Sequence, residues 1–119
     1  MDLYREEILD RYKNPQNIGD IKDATNKATV KNSICGDTLS AGIRISESGL
    51  VSEVKFKSIG CMVSTVSADV LADYAIGKNI SEVKNIKEEE VLKLFGIDLT
   101  PSRRKCALLS LEVLKKAVE

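Results

Sequence analysis

Between residues 39 and 57 the chain alternates. Leu39, Ala41, Ile43 and Ile45 are separated by Ser40, Gly42 and Arg44, and Val54 and Phe56 by Lys55. A period of two puts the apolar side chains on one face of a strand and the polar ones on the other. Glu47-Ser48-Gly49 between the two runs reads as a hairpin loop. Lys27 to Ser33, around Thr29 and Val30, is β-compatible and supplies a preceding strand. The middle of the chain thus predicts a small antiparallel sheet with one face in water.

After Gly60 the period changes. Val63, Val66, Val70 and Tyr74 fall at helical spacing, which predicts a helix from Cys61 to Ile76 stopped by Gly77. Residues 81 to 95 predict one or two short helices, with Ser81 as a cap and Glu88-Glu89-Glu90 suited to a first turn. Gly96 ends them. Thr100-Pro101 reads as a cap followed by proline at the first helical position. The last helix runs to about Val118 and buries Leu108, Leu111, Leu114 and Val118. At the other terminus, Asp2 to Lys13 predicts a short amphipathic helix. Asp2 is its cap, Leu3, Ile8, Leu9 and Tyr12 are its apolar stripe, and Asn14-Pro15 is its end.

Composition narrows the function classes. The 119 residues are expected to form one domain, 1–119, with no repeat, linker or low-complexity segment. Lysine plus arginine number 18, and so do aspartate plus glutamate. A chain with no basic excess is a poor nucleic-acid or membrane-surface binder. At 4% aromatic residues and no tryptophan it also lacks base-stacking platforms. The charged N-terminus is no signal peptide, and no run suits a membrane helix, so the expected compartment is the cytoplasm. There an odd count of three cysteines stays reduced.

Those cysteines carry the candidate chemistry. Cys35 and Asp37 flank Gly36, a residue that lets the backbone turn tightly so that sulfur and oxygen converge. Cys61 lies at a predicted helix start and Cys106 in the first turn or so of another, beside Arg103, Arg104 and Lys105. Helix N-termini and nearby cations favour thiolates. Cys35, Asp37, Cys61 and Cys106 have the count for a tetrahedral site, and sulfur-rich tetrahedral sites take zinc or iron–sulfur clusters. Taken singly, Cys61 also reads as a small buried hydrophobe and Asp37 as a turn residue. No CxxC pair decides between these readings.

The chain resembles the iron–sulfur cluster assembly scaffold family, of the IscU, SufU and NifU N-terminal type. The likeness runs through Y-x-E-x-I-x-D-x-Y-x-N-P-x-N-x-G from Tyr4 to Gly19, Cys35-Gly36-Asp37, Lys57-Ser58-Ile59-Gly60-Cys61 and Lys105-Cys106. It implies an α+β fold, a three-stranded antiparallel sheet with helices packed on one side. It implies that Cys35, Asp37, Cys61 and Cys106 hold a [2Fe–2S] cluster built from iron and desulfurase-derived sulfur. The chain would then be a carrier rather than an enzyme. Its partners would be a cysteine desulfurase and apo iron–sulfur proteins, and it would be a monomer or a cluster-linked dimer. Lys105 resembles the SufU branch, which favours zinc and sulfur transfer, whereas the short separation of Cys61 and Cys106 resembles IscU. A closed structural zinc site is the third alternative. Leu99-Thr100-Pro101-Ser102-Arg103 departs from the Leu-Pro-Pro-Val-Lys of bacterial IscU proteins, the motif read by their chaperone.

Overall fold

The computed structural model describes residues 5–20, 24–31, 36, 38–59, 62–95 and 100–119, and of Arg5, Ser58, Ile59, Phe95 and Ser102 the backbone alone. The element order is α1 (Arg5–Lys13), β1 (Asn26–Lys31), β2 (Thr38–Ile45), β3 (Val51–Ile59), α2 (Met62–Ala75), α3 (Ile80–Lys84), α4 (Glu88–Phe95) and α5 (Pro101–Ala117). The strands form an antiparallel meander in the order β1-β2-β3. This is the expected α+β fold.

The alternation in the sequence becomes the two faces of the sheet. Leu39, Ala41, Ile43, Val54 and Phe56 are buried, while Lys27, Thr29, Lys31 and Lys57 on the other face are exposed. The apolar face rests on α2 and α5. Leu71, Ala72, Ala75, Leu109, Val113 and Leu114 come from those helices to meet the strands in one core. Each large apolar side chain buried there contributes about 1.5–3 kcal/mol. Asn32 and Ser33, the end of the expected first strand, lie outside the described residues. A bulge at Arg44/Ile45 shifts the β2–β3 register, and the hydroxyl of the extra residue, Ser52, donates to the Arg44 carbonyl at 3.1 Å.

The outer edge of β3 is bonded at two points. Phe56 N donates to the Asn17 carbonyl and Gly19 N to the Phe56 carbonyl, each at 2.8 Å, so Ile18 pairs with Phe56 as a single parallel bridge. At the strand's start Gly77 N donates to the Val51 carbonyl, and Val51 N to that of Lys78, again at 2.8 Å. Gly77, at φ +91°, ends α2 as expected and turns the chain onto the strand.

Two helix details differ from expectation. α3 is capped by Asn79, not Ser81: the Asn79 side chain accepts from Glu82 N at 2.8 Å and Glu82 returns the bond to Asn79 N. Both backbone N–H groups are the donors, Glu82 N to the Asn79 amide oxygen and Asn79 N to the Glu82 carboxylate, and Ser81, itself inside the helix, cannot satisfy them. In α1 the stripe narrows to Ile8, which is buried, while Leu9 and Tyr12 are 43% and 46% exposed. The reason is polar. Arg11 reaches Asp69 of α2, and this contact sets the roll of the helix. Asp2, Leu3 and Gly96 lie outside the described residues.

Candidate metal centre

Of the four expected ligands, Cys106 is described; Cys35, Asp37 and Cys61 lie outside the described residues. α5 starts as the sequence predicts, with the Thr100 side chain accepting from Arg103 N and Pro101 at the first helical position. Cys106 is therefore in the second turn, not the first. The field of a helix terminus fades within its first turn, so the helix start acts on Cys106 only weakly. Arg103, Arg104 and Lys105 are exposed. Cys106 itself is 5% exposed and lies in a buried cluster with Ile8, Val63, Val66, Val70 and Ala107, onto which Met62 packs. This cluster joins α1, the first turns of α2 and the start of α5.

A polar clamp fixes α5 against α2 next to this thiol. Ser67 Oγ donates to the Ala107 carbonyl at 2.7 Å, Ser110 Oγ reaches the same carbonyl at 3.0 Å, and the two hydroxyls lie 3.1 Å apart. Both serines are buried and satisfied. A buried hydroxyl left without a partner costs about 1–3 kcal/mol, so the clamp penalises sliding of α5 along α2. Two serines at helical core positions were the visible signal for it, and sequence reasoning passed over them.

The sheet supplies the rest of the frame. Thr38, the first residue of β2, is the register partner of Ile59, the last of β3. Asp37 is bonded to Thr38, and Cys61 is two residues past Ile59 and adjacent to Met62. Gly36, between the first two expected ligands, has φ +74°. That is the unusual φ for which glycine was read from the sequence, and a side chain there would be strained.

A second polar site lies where α1 and the loop after it meet α2. Asp69 is fully buried. Its Oδ2 accepts from Arg11 Nη1 at 2.8 Å, and its Oδ1 accepts from the backbone of Gln16 and Asn17 at 3.0 and 2.8 Å and from Asn17 Nδ2 at 3.1 Å. Arg11 and Asn17 also reach Asp73, at 3.1 and 2.9 Å. A carboxylate with this many donors is structural: it pins α1 and the Asn-Pro-x-Asn loop to α2.

The chain belongs to the NifU-like N-terminal domain family, which it matches over residues 3–119. It is 33% identical to "Iron-sulfur cluster assembly protein 2" of Arabidopsis thaliana, across 98% of this chain and 72% of that protein. It is 29% identical to "Iron-sulfur cluster assembly scaffold protein IscU" of Haemophilus influenzae, across 97% of this chain and 92% of that one. Among solved structures it is similar to a provisionally described cluster assembly scaffold for the SUF system from Fervidobacterium islandicum. That likeness has a TM-score of 0.80 at 26% identity and covers 98% of this chain and 96% of the other. A NifU-like N-terminal structure from Brucella abortus shares the fold, with a TM-score of 0.73 at 21% identity over 93% and 88% of the two chains.

Proposed function

We propose that this chain, acting as one domain, assembles a [2Fe–2S] cluster on Cys35, Asp37, Cys61 and Cys106 and passes it to apo-proteins. A cysteine desulfurase supplies the sulfur, an external reductant brings it to sulfide, and iron bound by the thiolates completes the cargo. Its relatives are named scaffolds, and on this reading the chain carries a cluster rather than turning over a substrate.

The observation that carries the proposal is the common tether of three segments. Thr38 and Ile59 are register partners, so Cys35-Gly36-Asp37 and Cys61 are attached to the same end of one strand pair. Cys106 shares a buried cluster with Met62 and Val63, the residues that follow Cys61. Ile8, Val63 and Val66 give such a site a dry wall. Asp37 provides a harder ligand than thiolate for this iron, and so a point of release.

A second reading is a zinc-held sulfur acceptor that activates the desulfurase. Lys105 supports it, and so does the likeness to a SUF-system structure. That structure is matched over 96% of its own length, so chain length does not separate the two readings.

Anaerobic reconstitution with iron, cysteine, a thiol and a desulfurase distinguishes them. The scaffold gives a brown protein with the absorbance and Mössbauer spectrum of a [2Fe–2S] centre, lost on Cys→Ala at position 35, 61 or 106. Asp37→Ala should bleach more slowly in air and hand its cluster on more slowly. A colourless, zinc-loaded protein that accelerates the desulfurase would establish the second reading instead. Faster bleaching of Asp37→Ala would overturn the release role.

A further inference from the structure

No described helix packs on the solvent face of the sheet, and its residues fall in cross-strand rows. Thr29, Ser40 and Lys57 form one row and Lys27, Gly42 and Lys55 the next, by register. The central strand thus offers a floor of short side chains between lysines on both flanking strands. These six residues line a shallow trough of about 200 Å³. The row beyond them is Lys31, Thr38 and Ile59, where the chain leads into Asp37 on one side and towards Cys61 on the other.

The face is basic in a chain whose charges balance overall. Among the described residues two carboxylates border it, and both are engaged: Asp20 holds Lys57 at 2.7 Å and Glu53 holds Arg44 at 3.4 Å. Lys55 is held by a neutral carbonyl, that of Gln16 at 3.0 Å, and keeps its charge. Lys27 is exposed and has no partner among the described residues. Lysines on a strand also discourage edge pairing. That role asks for charge on β1, the open edge, and does not account for Lys55 and Lys57 on β3, whose edge is bonded at two points.

We propose that this trough is the docking surface for an acidic protein, the recipient of the cluster, whose carboxylates seat on Lys27, Lys55 and Lys57. The role of recipient rests on the function proposed above; the docking does not. Short side chains on β2 let a convex acidic element approach the sheet, and opposite charge speeds and orients its arrival. Along the strands, the same approach leads to the end that bears Cys35, Asp37 and Cys61. A polynucleotide is the poorer fit, because none of the rows carries an aromatic side chain for stacking.

The test uses the metal-free full chain and an acidic apo-ferredoxin as probe. NMR shift mapping should place the contact on residues 27–31, 38–44 and 53–57. Lys27→Glu/Lys57→Glu should weaken binding at least about tenfold. The charge-matched control Lys84→Glu/Lys93→Glu, at exposed sites on α3 and α4, should leave it within about twofold. Native binding should weaken with salt, and the sheet variant should lose most of that dependence. Absent binding, shifts confined to the helical side, equal weakening by both variants, or preferential binding of single-stranded DNA at these rows would each overturn the proposal. Because no cluster is present, docking on the trough by a chain that never assembles one would refute the proposed function and leave the surface standing.

Discussion

α1 and α5 both lie against α2, and different physics holds each of them there. α5 brings a long apolar side to α2 and the sheet, with Leu109, Val113 and Leu114 all buried. Among the described residues, α1 brings Ile8 and otherwise depends on Arg11 and the loop that follows, which are held chiefly by the buried carboxylate of Asp69 with Asp73 beside it. Apolar burial is non-directional and shared among many contacts, so it degrades gradually. A hydrogen-bonded carboxylate is directional and concentrated in one residue. Among the described residues, the segment that walls the Cys106 cluster is therefore attached by fewer residues than the helix that carries Cys106.

The largest expected effect is on the α5 side. Leu114→Ala should cost about 3 kcal/mol, spread over the whole fold, because it opens a cavity in the common core. Urea unfolding should show a lower midpoint with an unchanged slope. A change confined to α5 in hydrogen exchange would break the comparison.

Asp69→Ala should cost about 2 kcal/mol, since it strands the Gln16 and Asn17 backbone donors while Arg11 keeps Asp73 and gains water. Its signature is local. Amide exchange should accelerate across residues 5–20 well before the strands respond. Uniform acceleration would mean that α1 is integral to the core, and the contrast with α5 would fall.

The smallest effect is a reference contact at the other end of α2. Tyr74 Oη donates to Glu90 Oε2 at 2.7 Å, and Lys78 Nζ lies 4.3 Å from the ring centroid. The bond from Tyr74, foremost, holds the Glu90 carboxyl below its usual range. The same bond, followed by burial and the charge of Glu90, raises the tyrosine. Glu90 therefore adds stability above the ordinary carboxylate range, lost as pH falls through its depressed folded value. Tyr74 adds stability below the ordinary tyrosine range, lost as pH rises through its raised folded value. The midpoint difference between native protein and Tyr74→Phe should be largest near neutral pH and shrink in acid and in strong base. A difference that does not vary with pH would show that the ring's packing, not this bond, joins α2 to α4.

What was legible in the sequence follows from these same forces. β2 and β3 could be read because a half-buried sheet writes its period directly into the chain, and Thr100-Pro101 because capping is local. The Asn79–Glu82 box was equally local, but a nearby serine drew the assignment. Asp69 was not legible: its partners lie 52 to 58 positions away, and within α2 it looks like one polar residue on a helix. The roll of α1 was missed for the same reason, since Leu9 and Tyr12 obey the apolar pattern while Arg11 decides the face. At the candidate metal centre, the family could be read from the motifs. The depth of Cys106 could not, because it depends on how α1, α2 and α5 close around it.

The bonded edge of β3 bears on how the chain behaves in a crowd. A bare strand edge is a template on which another chain can add a strand and begin a fibril. Here the turn after α2 occupies that template at the start of the strand, at Val51, and the segment around Ile18 occupies it further along, at Phe56. β1 remains, six residues long and bearing Lys27 and Lys31, and a second copy would have to bring like charge against like. Growth by strand addition is thus opposed on one side by occupancy and on the other by charge, and the chain should stay dispersed even when concentrated without its cargo.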